Sequence, residues 1–400
     1  MSPVAPDPIR VLLYSHDSVG LGHIRRNLAL AHALSGQLPR LTGREVTGML
    51  VTGVEHGVEL HPPAGFDVVG LPGVRKAGGG YRPRHVQVPM ADLTDLRGGM
   101  LRAVVRGFGP DLVVVDRHAF GVDGELRGAL QDLRERRPET TVVLGLREVL
   151  DEPEAVAREW ARLGDLSRVR ALFDEVWVYG DERVHDIRRS GELPAELHDL
   201  VHYTGYLATG RHWVPEQEPT PQPYLLTMVG GGSDGMALCR TAAAAPVPAG
   251  YRHVVVTGPQ MAGPAHREIE RLAGPRTRVV TSVPDGLATI RGARAVVAMA
   301  GYNTVNEVMS TRTPALLVPR ELPRKEQLIR AESLARAGAA DLIRQEDLTP
   351  GRLGAWLAGA VHRTQPRSGL NLRGLAGVAR RAAHLTGSRA LTKEYSVVAG

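Results

Sequence analysis

The chain is poor in several residue types, and each shortage excludes something. It has one cysteine, Cys239, in 400 residues, which rules out an intrachain disulfide and any Cys-cluster zinc site. Aromatic residues are only 4%, and no basic block is interleaved with them, so the net charge of +6 and pI of 9.7 do not point to nucleic acid. There are 15 histidines but no HExxH and no close His pair at ligand spacing. No acidic pair of the kind that holds a divalent ion stands at a strand end, so no metal is expected. No apolar run approaches the ~20 residues that span a bilayer. The opening Met1-Ser-Pro-Val-Ala-Pro-Asp-Pro lacks a basic region followed by an apolar core, and is not a signal peptide. The expected compartment is the cytoplasm, with peripheral membrane association left open.

What is present is ordinary globular material, 43% hydrophobic and 23% charged, long enough for two or three domains. Apolar runs at 9–15, 46–52, 66–70, 111–116, 141–146, 175–179 and 201–205 read as strands, with helical spacing between them. Residues 73–89 carry Arg75, Lys76, Gly78–Gly80, Arg82, Arg84 and His85 without an apolar period, and read as a mobile loop. Four prolines within 213–223 mark a linker. The alternation then resumes, with strands at 224–229, 253–257, 277–281, 295–300 and 315–319. The pattern predicts an α/β chain of two doubly wound parallel-sheet domains facing each other across a cleft. Residues 1–212 form the first domain and 224–385 the second. The last helix is free to pack back on the first domain, and 386–400 is a tail. Ligands of such sheets sit beyond the carboxyl ends of the strands.

Four loops at those ends carry candidate chemistry. After the first strand comes His16-Asp-Ser-Val-Gly20-Leu-Gly22-His23-Ile-Arg25. It resembles a dinucleotide fingerprint, but Arg25 replaces the third glycine and no acid ends the second strand. Gly20 and Gly22 would instead let the backbone approach a substrate. His23, at a helix start, would be kept neutral and able to act as a base, unless it is a capping or core histidine. Asp116 ends the strand 111–116 and could orient such a histidine, with His118 as a rival. The Gly230-Gly231-Gly232-Ser233-Asp-Gly235 loop can cradle a diphosphate with its N–H groups. It lacks the Lys-Ser/Thr of a P-loop, so ATP hydrolysis is not indicated. The strand–Gly–helix junction Ala298-Met-Ala-Gly301-Tyr-Asn303-Thr304-Val-Asn-Glu307 offers N–H groups to an anion, with Asn303 or Thr304 as a cap. Glu307, one turn on, could accept hydrogen bonds from a ribose diol.

As an ordered set across a linker, these residues resemble the glycosyltransferases of family 28, the MurG-like enzymes. The match is strongest over 224–340: the Gly230–Gly235 loop, the Gly301–Glu307 junction, and Pro314…Leu317-Val318-Pro319 followed by Glu326-Gln327 and Ala331. The "SHD…GLGH.RRN" opening places the chain nearest to uncharacterised predicted members. The resemblance implies a GT-B fold, with an acceptor half followed by a nucleotide-sugar half, and inverting transfer from a donor, UDP-linked by expectation, without metal or other cofactor. It assigns the ribose to Glu307, the diphosphate to Gly231–Ser233, sugar hydroxyls to Glu326 and Gln327, the base to backbone near Val283, and proton abstraction to His23 with Asp116. The acceptor is then a small molecule or a lipid-linked one, and no nucleic acid is involved. Met299, Leu328 and Arg330 depart from the peptidoglycan enzymes, as do the acceptor loops, so that particular reaction is not implied. The runners-up are a nucleotide-sugar epimerase or hydrolase on the same fold, and a non-catalytic nucleotide-sugar-binding protein.

Overall fold

The computed structural model describes residues 6–17, 20–54, 60–78, 80–212 and 222–398, with side chains as far as 387. All but the last two residues of the 213–223 linker lie outside that set. The strands of the first half are β1 (Ile9–Ser15), β2 (Val46–Thr52), β3 (Phe66–Gly70), β4 (Val74–Ala77), β5 (Gly80–Pro83), β6 (Leu112–Asp116), β7 (Thr141–Arg147), β8 (Glu175–Tyr179) and β9 (Val201–Tyr203). Seven of them form one parallel sheet in the order β3-β2-β1-β6-β7-β8-β9. The second half supplies β10 (Tyr224–Met228), β11 (Arg252–Val256), β12 (Thr277–Val280), β13 (Val296–Ala298), β14 (Ala315–Leu317) and β15 (Asp341–Leu342). They form a parallel sheet in the order β12-β11-β10-β13-β14-β15. Each sheet turns back at its first strand, and such switch points are where open α/β sheets bind ligands.

Both faces of each sheet are buried, which is why the strands read as unbroken apolar runs. Along β1, Val11 and Leu13 pack on one face, while Leu12 and Tyr14 pack on the other. In the second sheet Leu226 and Met228 share one core with Val296 and Ala298, while Leu225 and Val229 share the opposite one with Val297. After the second sheet the chain returns to the first half. Tyr206 N–H donates to Asn371 O at 2.8 Å, and Leu375, Val378 and Ala382 of the helix Gly374–Val398 join the core around Leu30 and Leu34 of the helix Gly22–Thr42. This last helix continues to Val398, so most of the segment read as a tail is helical.

The segment read as a mobile loop is instead a built element. β4 and β5 pair as an antiparallel hairpin, with Arg75 opposite Arg82 and Lys76 opposite Tyr81. Val74 is buried with Leu93 and Val122. The Arg84 guanidinium donates to Val74 O at 3.1 Å and to Asp17 O at 3.2 Å, tying the hairpin to the first loop. The short strand β15 was not anticipated, because two residues carry no period.

Candidate active site

The loop after β1 is fixed from within. Asp17, with φ +41°, is buried and accepts from Ser15 Oγ at 2.5 Å, Thr52 Oγ1 at 2.6 Å and the Ile24 N–H at 2.9 Å. It thereby binds the ends of two strands to the first turn of the helix Gly22–Thr42. Gly20, at φ +65°, takes the left-handed turn that leads into that helix. His23 follows in the first turn.

His23 Nδ1 is hydrogen-bonded to the Asp116 carboxylate at the end of β6. One turn further on, Arg26 grips the same carboxylate, Nε to Oδ1 at 2.7 Å and Nη2 to Oδ2 at 2.6 Å. Burial acts to raise the pKa of Asp116, but the charges and hydrogen bonds of Arg26 and His23 outweigh it and hold the group well below the usual carboxylate range. An ionised Asp116 requires the proton on His23 Nδ1, which leaves the Nε2 lone pair free to accept another. His16 lies 4.5 Å from His23 between ring centroids, and His118 lies 4.7 Å from His16. Burial, reinforced by neighbouring cations, holds His16 and His118 well below the usual imidazole pKa, so both are neutral. Asp116, not His118, contacts His23. Arg117, between them, has φ +66°, a strained conformation for a side-chain-bearing residue.

In the second half, the Gly230–Gly235 loop lies back to back with the loop after β11. Gly230 and Gly232 have φ of +66° and +96°, and a Cβ on Gly232 would come within 2.2 Å of Thr257 O. Only glycine fits that position. Gly231 and Ser233 are exposed, and Gly231 O accepts the Gln260 N–H at 2.8 Å. Asp234 binds Arg320 Nε at 2.7 Å, and Arg320 Nη2 donates to Glu326 Oε1 at 2.6 Å. Gln327 Oε1 meets Arg320 N at 3.4 Å. Glu326 Oε2 is buried and has no hydrogen-bond partner among the described residues.

The helix at the second junction is Tyr302–Met309, capped by Gly301 without a side-chain bond. Asn303 and Thr304 are therefore inside the helix and do not cap it. Asn303 reaches the other half, its Nδ2 donating to Gly22 O at 2.9 Å. Thr304 and Glu307 line a cavity of about 460 Å³ together with Val283, Gly230, Arg25 and Arg211. Glu307 is buried at its floor, 3.2 Å from Arg25 Nη2 and 3.7 Å from Arg211 Nη1. A second cavity, of about 800 Å³, lies under the β4–β5 hairpin and is lined by His118, Phe120, Arg127 and Arg324 among others. His23 stands between the two. Ile24 and Arg25, its neighbours in sequence, line the first cavity, and the His16–His118 stack leads to the second.

A cleft between two doubly wound sheets, a His–Asp pair on one side and a strand–Gly–helix junction with an acid on the other, agree with comparison to known proteins. Residues 226–366 match the glycosyltransferase family 28 C-terminal domain. The chain is a GT-B protein related to the family 28 glycosyltransferases. An uncharacterised glycosyltransferase of Methanosarcina mazei is 23% identical over 76% of this chain and 77% of its own. A UDP-N-acetylglucosamine–N-acetylmuramyl-(pentapeptide) pyrophosphoryl-undecaprenol N-acetylglucosamine transferase of Anaeromyxobacter sp. is 29% identical over 82% and 79%. Among solved structures, the glycotransferase of kitacinnamycin superposes with a TM-score of 0.57 at 18% identity, covering 97% of this chain and 99% of its own, which shows the shared fold.

Arg26, Arg25, Arg211 and Arg320 were not singled out from the sequence. Arg26 alone carried a usable signal, since it sits one turn after His23 on the same helix face. Arg330, read as a departure at a sugar-contacting position, is instead buried against Glu148, Nε to Oε1 at 2.6 Å, and donates to Ala300 O.

Proposed function

We propose that this GT-B enzyme, acting on a nucleotide-sugar donor, transfers the sugar from a UDP-linked donor to an acceptor hydroxyl, with inversion and without a divalent metal. Residues 1–212 would serve the acceptor and 224–385 the donor, across the 213–223 linker. The observation that carries this reading is the His23–Asp116 pair standing between two cavities, one of them floored by Glu307. His23 Nε2 takes the acceptor proton, the acceptor oxygen attacks the anomeric carbon, and the bond to the diphosphate breaks on the opposite side. The proton stays on His23, whose imidazolium is stabilised by Asp116. The leaving diphosphate gathers charge against the N–H groups of Gly230–Ser233 and the start of the Tyr302–Met309 helix. Glu307 accepts ribose hydroxyls, Val283 lies beside the base, and Glu326 Oε2, with Gln327, meets the sugar. Gly20, Gly22, Gly301 and Asn303 shape the passage between the halves.

The acceptor is a small molecule or a lipid-linked one, met in the cytoplasm or at a membrane surface. No helix among the described residues is long and apolar enough to cross a membrane. The test is turnover of a panel of nucleotide sugars in EDTA, with UDP binding measured alongside by calorimetry. Absence of UDP binding overturns the donor assignment, and complete dependence on added Mg²⁺ or Mn²⁺ overturns the metal-free mechanism. Conversion of a UDP-sugar with no acceptor present would instead identify an epimerase or hydrolase.

A further inference from the structure

The 800 Å³ cavity carries more positive charge than its own acids neutralise. Lys76, Arg127, Arg162 and Arg324 line it against Asp123 and Glu159. Glu159 is already shared, with Arg117 Nη2 and Arg324 Nη2 each at 2.6 Å. Lys76, on the hairpin strand β4, makes no hydrogen bond or ion pair among the described residues. Nor does Arg147, the last residue of β7, whose Nε is buried without an acceptor. Its position is exceptional, because the other deeply buried guanidiniums of this region each hold a carboxylate: Arg26 with Asp116, Arg97 with Glu125, Arg330 with Glu148. Burial, with Arg330 next, pushes Arg147 down to about 9, while Glu326 opposes. Burial lowers Lys76 as well, with Arg324 next and Arg147 contributing. A buried cation without a counter-ion is costly, and an arriving anion removes that cost.

We propose that Lys76 and Arg147 form a subsite for an oxyanion carried by the acceptor, a phosphate or a carboxylate. Arg147 offers a planar fork to two oxygens and Lys76 a point charge from the opposite wall. The surplus comes from two unpaired cations and a third that shares its acid. The assignment to the acceptor rests on the function proposed above.

The chain has only three lysines, Lys76, Lys325 and Lys393, so Lys76 can be followed directly. The full chain is saturated with UDP and acylated briefly with acetic anhydride at neutral pH, and each lysine is quantified by mass spectrometry. Lys325, paired with Glu152 at 2.7 Å, is the reference. Inorganic phosphate and acetate are then titrated against chloride at matched ionic strength. One of them should slow Lys76 labelling about tenfold at saturation. Arg147→Met should raise the concentration required by about tenfold while leaving UDP affinity unchanged. Stronger protection by phosphate identifies a phosphorylated acceptor, and by acetate a carboxylated one. Protection of Lys76 by UDP alone would give these cations to the donor and overturn the proposal, as would indifference of Lys76 to both anions. Failure of UDP to bind would sink the functional reading instead, while the anion arm could still be read without nucleotide.

Discussion

Asp116 is held from two sides, and the two holds have different consequences. His23 uses it for orientation, and Arg26 uses it as a counter-ion. His23→Ala should lower turnover by about 10²–10⁴-fold and leave UDP affinity near its starting value. Glu307→Ala should do the reverse at the donor, weakening UDP roughly ten- to hundredfold, the scale of losing one charged hydrogen bond after water replaces part of it. Calorimetry with UDP on both variants checks this, and loss of binding in His23→Ala alone would reverse the assignment of the two halves. The buried histidines add a pH dependence. His16 and His118 lie well below their ordinary pKa, and His253, buried against Thr227, lies near 4. In the unfolded chain all three take protons near pH 6.5. Below that pH the unfolded state binds more protons, so the stability they contribute is present above about 6.5 and lost as the pH falls toward 4. Asp116 acts in the same direction at lower pH, its contribution being present above its unfolded pKa near 4 and lost below it. Thermal unfolding measured from pH 8 to 4 should show a steady fall in Tm, and a flat profile would contradict neutral burial of these imidazoles.

At the level of elements, the β4–β5 hairpin owes its place to one side chain. Arg84 joins Val74 O on the hairpin to Asp17 O in the loop that presents His23. Arg84→Ala should therefore loosen the cover of the acceptor cavity, raising the acceptor KM several-fold while UDP affinity stays constant. An equal loss of UDP affinity would mean that the hairpin also supports the donor site. This element was also the least legible from sequence. Buried parallel strands announce themselves as apolar runs, so β1, β2, β3 and β8 have the bounds that the sequence predicts. The hairpin has one buried apolar residue, Val74, among arginines and glycines, and no period marks it. The cap of the helix Tyr302–Met309 was misread for a related reason. Asn303 is a good capping residue, but its side chain is committed to Gly22 O, 281 positions away, and propensity contains nothing of that contact. His23, Asp116 and Glu307 were found because residue type and strand-end position suffice. Arg147 and Glu326 Oε2 draw their interest from what they lack, and that appears only once every neighbour is in place.

Across the whole molecule, the two halves are joined on one side of the cleft by contacts between residues more than a hundred positions apart. The Tyr302 hydroxyl donates to Tyr179 O at 2.9 Å, Arg324 meets Glu159, and Lys325 meets Glu152. At the centre Arg330 and Glu148 are both about 1% exposed, and the guanidinium also donates to Ala300 O, directly before Gly301 at the donor junction. This clasp fixes the distance between the His23 side and the Glu307 side. A buried pair of this kind is sensitive to being halved rather than removed, because one charge left alone keeps its desolvation cost without its partner. Glu148→Ala should destabilise the protein by about 3–5 kcal/mol. Glu148→Leu with Arg330→Met should cost far less than Glu148→Ala, within about 2 kcal/mol of the native chain after the lost Ala300 and Val149 carbonyl bonds are counted. Denaturant unfolding of the variants measures both. UDP binding to the double variant then tells whether the clasp also orients the junction: unchanged affinity with lowered turnover would mean that the pair sets the spacing between base and donor. A double variant as unstable as Glu148→Ala would show that packing of the Arg330 stem, and not charge pairing, holds the halves together.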